Sequence, residues 1–308
     1  MTDASSPSPS SDLSGHVLIE AAITPLRRGT PAQSIDEMVS EADACVRAGA
    51  GIVHHHHDMR LSESDAINQL VETTRRIQEL HPGVLTYTDY LAGKRAVEEH
   101  AHLGPTAEAG VLTMFAIDPG ITSFPSDDDD GLPTRTYTDG LRFDEAHQMV
   151  ELSKRLDVPI SLGVFEPGHL RWIVAYARRA GFSPGTIVKL YFGGTRMVDR
   201  PDTAGINFGL PPTTAALDVY LSMLEGSGLP WIVSLFGDPV LDSPIARAAI
   251  ERGGHLRVGI EDSATSGGPS NAEMVAAAVA LATEIGRPVA GAGNALDVLR
   301  GDRAGVRR

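Results

Sequence analysis

Cysteine is nearly absent: Cys45 is the single one in 308 residues. No intrachain disulfide can form, which suits a reducing compartment. No apolar run approaches the roughly 20 residues needed to cross a bilayer. The opening "MTDASSPSPSSDLSG" lacks the basic start and apolar stretch of a secretory signal, so the expected address is the cytoplasm. Its Ser, Pro and Asp content reads as a disordered tail over residues 1–15, with a shorter tail at 301–308. Basic residues are in deficit, 26 Lys and Arg against 40 Asp and Glu, for a net charge of −14. That argues against nonspecific binding to nucleic acid or anionic membrane, because both need clustered cations. The glycine-rich dinucleotide fingerprint is also missing after the first apolar strand.

What is present is alternation. Short apolar runs rich in β-branched residues, "VLIEAAIT", "GIVHHHH", "GVLTYTD", "GVLTMFAID", "PISLGVFE", "GTIVKLYFGG", "WIVSLFG" and "HLRVGIED", are separated by amphipathic stretches. In "SIDEMVSEADACVRAG", Ile35, Met38, Val39, Ala42 and Val46 recur at helical spacing after an N-cap serine. Strands alternating with helices pair in parallel through right-handed crossovers. Eight such units predict an α/β fold, a (β/α)8 TIM barrel, as one domain over residues 16–300; an open doubly wound sheet is the alternative. The stretch "PGITSFPSDDDDGLPTRTYTDGLRF" after the fourth strand is too long for a routine connection and reads as a lid or flap. Its acidic run Asp127–Asp130 lacks EF-hand spacing and reads as a solvated loop tip.

Four consecutive histidines end the second strand, in "AGAGIVHHHHDMR". They are internal and follow an apolar strand, unlike a purification tag. Residues two apart share a strand face, so His54 and His56 point one way and His55 and His57 the other. Barrel enzymes build their sites at this C-terminal end, where the eighth strand brings Glu261 and Asp262. Strands two and eight both flank strand one, so their side chains can converge. Two imidazoles and one carboxylate suit zinc with a position left open.

These segments resemble those of the β-keto acid cleavage enzymes, the family of 3-keto-5-aminohexanoate cleavage enzyme. The similar stretches are "AGAGIVHHHHD", "GHLRVGIEDS", "VFEPGHL" and "AIDPGITSF", and the likeness runs from about His16 to Leu299. The resemblance implies a TIM barrel, a divalent metal (usually zinc), acetyl-CoA as co-substrate and a homotetramer. The implied reaction converts a β-keto acid and acetyl-CoA to acetoacetate and a new acyl-CoA. By motif position, His54, His56 and Glu261 are the implied metal ligands, Asp262 the general base and Arg257 the arginine assisting CoA transfer. A metal on the β-keto carboxylate would acidify the adjacent carbon, and a neighbouring carboxylate would take the proton.

The departures from the family pattern fall at substrate-facing positions. In "AITPLRRG", Pro25 and Leu26 replace Gly-Ala, and Arg27 replaces a glutamate that contacts a substrate ammonium; Arg27 is a candidate partner for a second carboxylate. Asp58 replaces an arginine. In "YTDYLAG", Thr88 or Asp89 replaces a substrate-contacting hydroxyl. Gly163 stands where an acidic residue would support the base. Gly193 and Gly194 are kept, and their amides are candidates to approach an oxyanion. Competing readings are a CoA-independent metal aldolase or hydrolase, an iron site for oxygen chemistry, and a degenerate ligand-binding barrel.

Overall fold

The computed structural model describes residues 13, 15–25, 30–126, 134–197, 200–205, 207–263 and 267–301. Most of both expected tails, Arg27 and the acidic run Asp127–Asp130 lie outside the described residues. Eight strands alternate with helices: β1 (Ile19–Ala22), β2 (Ile52–His55), β3 (Leu85–Thr88), β4 (Phe115–Ile117), β5 (Ile160–Val164), β6 (Ile187–Gly193), β7 (Trp231–Phe236) and β8 (His255–Val258). All pair in parallel, in the order β3-β2-β1-β8-β7-β6-β5-β4. This cyclic order makes a nearly closed (β/α)8 barrel, and the open doubly wound sheet does not form.

The seam lies between β3 and β4, and a side chain bridges it. The Thr113 hydroxyl accepts from the Thr86 amide at 2.9 Å and donates to the Thr86 carbonyl at 3.0 Å. One threonine therefore serves backbone groups that a ladder would otherwise satisfy.

The helices are α1 (Ile35–Ala48), α2 (Glu63–Leu80), α3 (Leu103–Glu108), α4 (Phe143–Leu156), α5 (Pro167–Arg179), α6 (Thr214–Leu224), α7 (Pro244–Glu251), α8 (Asn271–Ile285) and α9 (Ala295–Gly301). Local chemistry starts them where expected. Ser34 and Glu37 form a capping box on α1, as Ser270 and Glu273 do on α8. The α1 stripe buries Met38, Val39, Ala42 and Cys45, with Ile35 and Val46 packed at its margin.

Outward strand residues such as Ile19, Ala21, Leu256 and Val258 are buried against the helical layer. The inward positions depart from the usual apolar filling. Glu20, Tyr87, Lys189 and Arg257 are all buried there, and among the described residues Arg257 is the largest fully buried side chain.

The long segment after β4 forms an antiparallel hairpin of Thr122–Ser126 and Arg135–Asp139. Phe124 faces Tyr137 and Thr122 faces Asp139 across it. The Gly120 amide donates to the Leu141 carbonyl, and the Leu141 amide to the Asp118 carbonyl, each at 2.8 Å. These bonds fasten the hairpin to the end of β4.

Candidate metal centre and active site

His54 and His56 project from the end of β2 toward Glu261, which follows β8. Their Nε2 atoms are 3.1 Å apart. Glu261 Oε1 lies 3.3 Å from His54 Nε2, and Oε2 lies 3.2 Å from His56 Nε2. Donors about 2.0–2.1 Å from a tetrahedral zinc ion stand roughly 3.3 Å from one another. The triad has this spacing without a side-chain rearrangement.

The outer nitrogens support the same reading. His54 Nδ1 meets the Tyr87 carbonyl at 3.3 Å, and His56 Nδ1 meets Asp89 Oδ2 at 2.9 Å. An Nδ1–H donated to each oxygen leaves both Nε2 lone pairs facing Glu261. That is the tautomer a metal-ligating histidine needs. Burial pushes His54 below the ordinary imidazole range despite Glu261. Burial also opposes charge on His56, but Asp89 and Glu261 more than offset it and raise the group to about 10. Competition between a proton and a metal is therefore concentrated on His56.

Arg257 organises the other side. Its Nε donates to Asp262 Oδ2 at 2.6 Å, and NH2 to Asp262 Oδ1 at 2.9 Å and Glu261 Oε1 at 2.5 Å. NH1 donates to Glu20 Oε1 at 2.8 Å and to the Tyr87 hydroxyl at 3.0 Å. These five contacts match the five N–H donors of a guanidinium. The Ser234 hydroxyl donates to Asp262 Oδ2 at 2.5 Å. Asp262, whose expected support at Gly163 is missing, thus has Arg257 and Ser234 as partners.

Beneath Arg257, Glu20 Oε1 accepts from Lys189 Nζ at 2.6 Å and from the Tyr87 hydroxyl at 2.5 Å; Lys189 also touches that hydroxyl. Burial lowers the Lys189 amine to about 8 even with Glu20 beside it. The sequence reading had no role for Glu20, Lys189, Tyr87 or Ser234. One signal was available, since a charged residue inside "VLIEAAIT" or "TIVKLYF" is rarely buried without a partner.

A cavity of about 200 Å³ opens above this layer, lined by His54, His56, Glu261, Tyr87, Asp89 and Lys189 on one side. Asp118, Gly163 and a set of aromatic rings line the other. His55 and His57 face away as parity required: His55 Nε2 contacts Thr74 of α2 at 3.1 Å, and His57 Nε2 accepts from the Ala92 amide. Three substrate-facing expectations need correction. Thr88 points to the opposite strand face from Tyr87 and Asp89 and does not line the cavity, so Asp89 is the member of that pair at the site. The Gly193 amide donates to the Leu210 carbonyl and the Gly194 amide to the Phe236 carbonyl, so neither N–H is free for an oxyanion.

A profile of the beta-keto acid cleavage enzyme family matches residues 17–300. The chain belongs to this family. It is 27% identical to the 3-oxoadipate:acetyl-CoA acetyltransferase of Cupriavidus necator over 288 residues, covering 89% of this chain and 90% of that one. It is 24% identical over 275 residues to the 3-keto-5-aminohexanoate cleavage enzyme of Fusobacterium nucleatum, covering 86% and 89%. Among solved structures, a ternary complex of ObcA with a C4-CoA adduct and oxalate superposes with a TM-score of 0.62 at 13% identity. That match covers 86% of this chain and 66% of ObcA, so the chain spans just under two thirds of that structure. At this identity the likeness concerns the fold alone.

Proposed function

We propose that this β-keto acid cleavage enzyme is a zinc-dependent transferase that converts a β-keto acid and acetyl-CoA to acetoacetate and a new acyl-CoA. The observation that carries this reading is a two-histidine, one-glutamate donor set in the wall of one cavity, whose glutamate shares a buried arginine with the Asp262 carboxylate. The names of the two curated relatives support acetyl-CoA as co-substrate and a β-keto acid as the molecule cleaved.

His54, His56 and Glu261 would hold a divalent cation, which would supply Lewis-acid activation of the β-keto acid and so acidify the carbon between its two carbonyl groups. Asp262 is the proposed base that takes that proton. Arg257 and the Ser234 hydroxyl hold its carboxylate in a single orientation, so little ordering entropy is left to lose at the reaction. Arg257 also ties the base to Glu261 through NH2, so base and metal ligand move as one unit. In the proposed sequence the carbanion attacks the acetyl thioester carbonyl, and the CoA thiolate leaves that carbon and adds to the original β-keto carbon. The bond between the β-keto carbon and the α-carbon then breaks, releasing the new acyl-CoA and, once the α-carbon takes back a proton, acetoacetate. Arg257, whose N–H donors are engaged by Asp262, Glu261, Glu20 and Tyr87, is assigned to compensate the anionic oxygen formed on the way through its charge.

The substrates in the relatives' names differ at their far ends, a carboxylate in 3-oxoadipate and an ammonium in 3-keto-5-aminohexanoate. Family membership therefore leaves that end open. The test is acetyl-CoA consumption by zinc-loaded protein across a panel of β-keto acids, with acetoacetate as the measured product. Exchange with at least one acid is expected. Asp262→Asn should lower turnover and hydrogen–deuterium exchange at the substrate carbon by at least ~10²-fold while keeping the metal. Exchange at the wild-type rate in that variant removes Asp262 as base.

A further inference from the structure

The barrel's strand order places the metal triad and Asp118 on opposite walls of one mouth. His54, His56 and Glu261 come from β2 and β8, while Asp118 follows β4 and Gly163 lies on β5. A β-keto acid with its carboxylate end at the triad that extends across the mouth directs its acyl substituent toward β4 and β5. What waits there is unusual for the far end of an anion. A Cβ added to Gly163 would lie 1.9 Å from Asp118 Oδ1, so the aspartate occupies space that any other residue on β5 would fill. Asp139, at the end of the hairpin, lines the same wall. Phe124, Tyr137, Phe165 and Tyr191 enclose it, with Phe124 stacked on Tyr137 at 5.2 Å and Phe165 on Tyr191 at 4.4 Å.

The charges nearby are already assigned. Asp118 accepts one hydrogen bond from Tyr90, and Asp139 Oδ1 accepts from the Gly140 amide at 2.8 Å. Asp89 serves His56 and Glu261 belongs to the triad. Among the described residues, the cations within reach are Lys189, bound to Glu20, and Arg95, on an exposed segment near Asp139. Burial, with Asp139 and Asp89 adding to it, raises the Asp118 carboxyl to about 7, despite Tyr90 and Lys189. A cation between Asp118 and Asp139 would relieve that crowding, and aromatic faces attract cations as well.

The geometry points to Asp118, admitted by Gly163, as a specificity-determining residue that selects β-keto acids carrying an organic ammonium at the end remote from the carboxylate. This inference rests on the proposed β-keto acid site for the orientation of the substrate. A substrate with a second carboxylate would meet Asp118 and Asp139 head-on.

The test is calorimetric binding to zinc-loaded protein of three unreactive probes of similar shape: 4-aminobutanoate, pentanoate and glutarate. No acetyl-CoA is present. The expected order is 4-aminobutanoate at least ~10-fold tighter than pentanoate, the size of a charge-assisted hydrogen bond, with glutarate weakest. Asp118→Asn should narrow the ratio between the first two. Gly163→Ala should do the same by pushing the carboxylate aside. Equal affinities, no binding of 4-aminobutanoate, or a preference for glutarate in the wild-type protein overturns the inference. Absence of thioester exchange with every β-keto acid would instead defeat the transferase reading and leave the probe order standing.

Discussion

Glu20 carries the electrostatics of the barrel interior. Its carboxylate is fully buried and receives Lys189, Arg257 and Tyr87 on one oxygen. Burial works against its charge, yet Lys189 and Arg257 hold its pKa down to about 2, from an ordinary 4.5. Because the folded value lies below the unfolded one, the stability it contributes is complete above pH 4.5 and is lost as pH falls through about 2. The difference corresponds to roughly 3 kcal/mol. Glu20→Gln should cost about 3–5 kcal/mol at pH 7, because Lys189 and Arg257 lose a buried partner. Its acid slope between pH 4.5 and 2 should be shallower than that of the wild type. Urea unfolding at a series of pH values measures both, and parallel curves for the two proteins would contradict the role given to Glu20.

At the scale of elements, periodicity made the barrel legible. All eight apolar runs are strands, because β-branched runs bounded by turn residues and followed by capped amphipathic helices have few other solutions. Strand parity likewise separated His54 and His56 from His55 and His57. Contacts that join distant strands were not legible. Ser234 beside Asp262, Glu20 beside Lys189 and Asp118 over Gly163 are separated by 28, 169 and 45 positions, and no local pattern records them. Gly193 and Gly194 misled for the same reason: their amides are consumed by carbonyls distant in sequence, Leu210 and Phe236 at the end of β7. The seam between β3 and β4 offers a test at this scale. Thr113→Val keeps the shape but leaves the Thr86 amide and carbonyl without the hydroxyl that serves both. It should cost about 1–3 kcal/mol in urea unfolding without changing metal content. A variant as stable as the wild type would mean that backbone pairing, not Thr113, closes the barrel.

For the whole molecule, an acidic chain with a charge of −14 encloses buried cationic groups and a metal-shaped donor set at one end of a barrel. Among the described residues no helix is long and apolar enough to cross a membrane. The proposed chemistry depends on all of this converging on a single ion. X-ray absorption at the zinc edge, on protein loaded with one equivalent of zinc, tests that most directly. The account predicts a shell of two imidazole nitrogens with oxygen donors at about 2.0–2.1 Å, and loss of occupancy in both His54→Ala and Glu261→Ala. A shell without imidazole, or full occupancy in either variant, would contradict it.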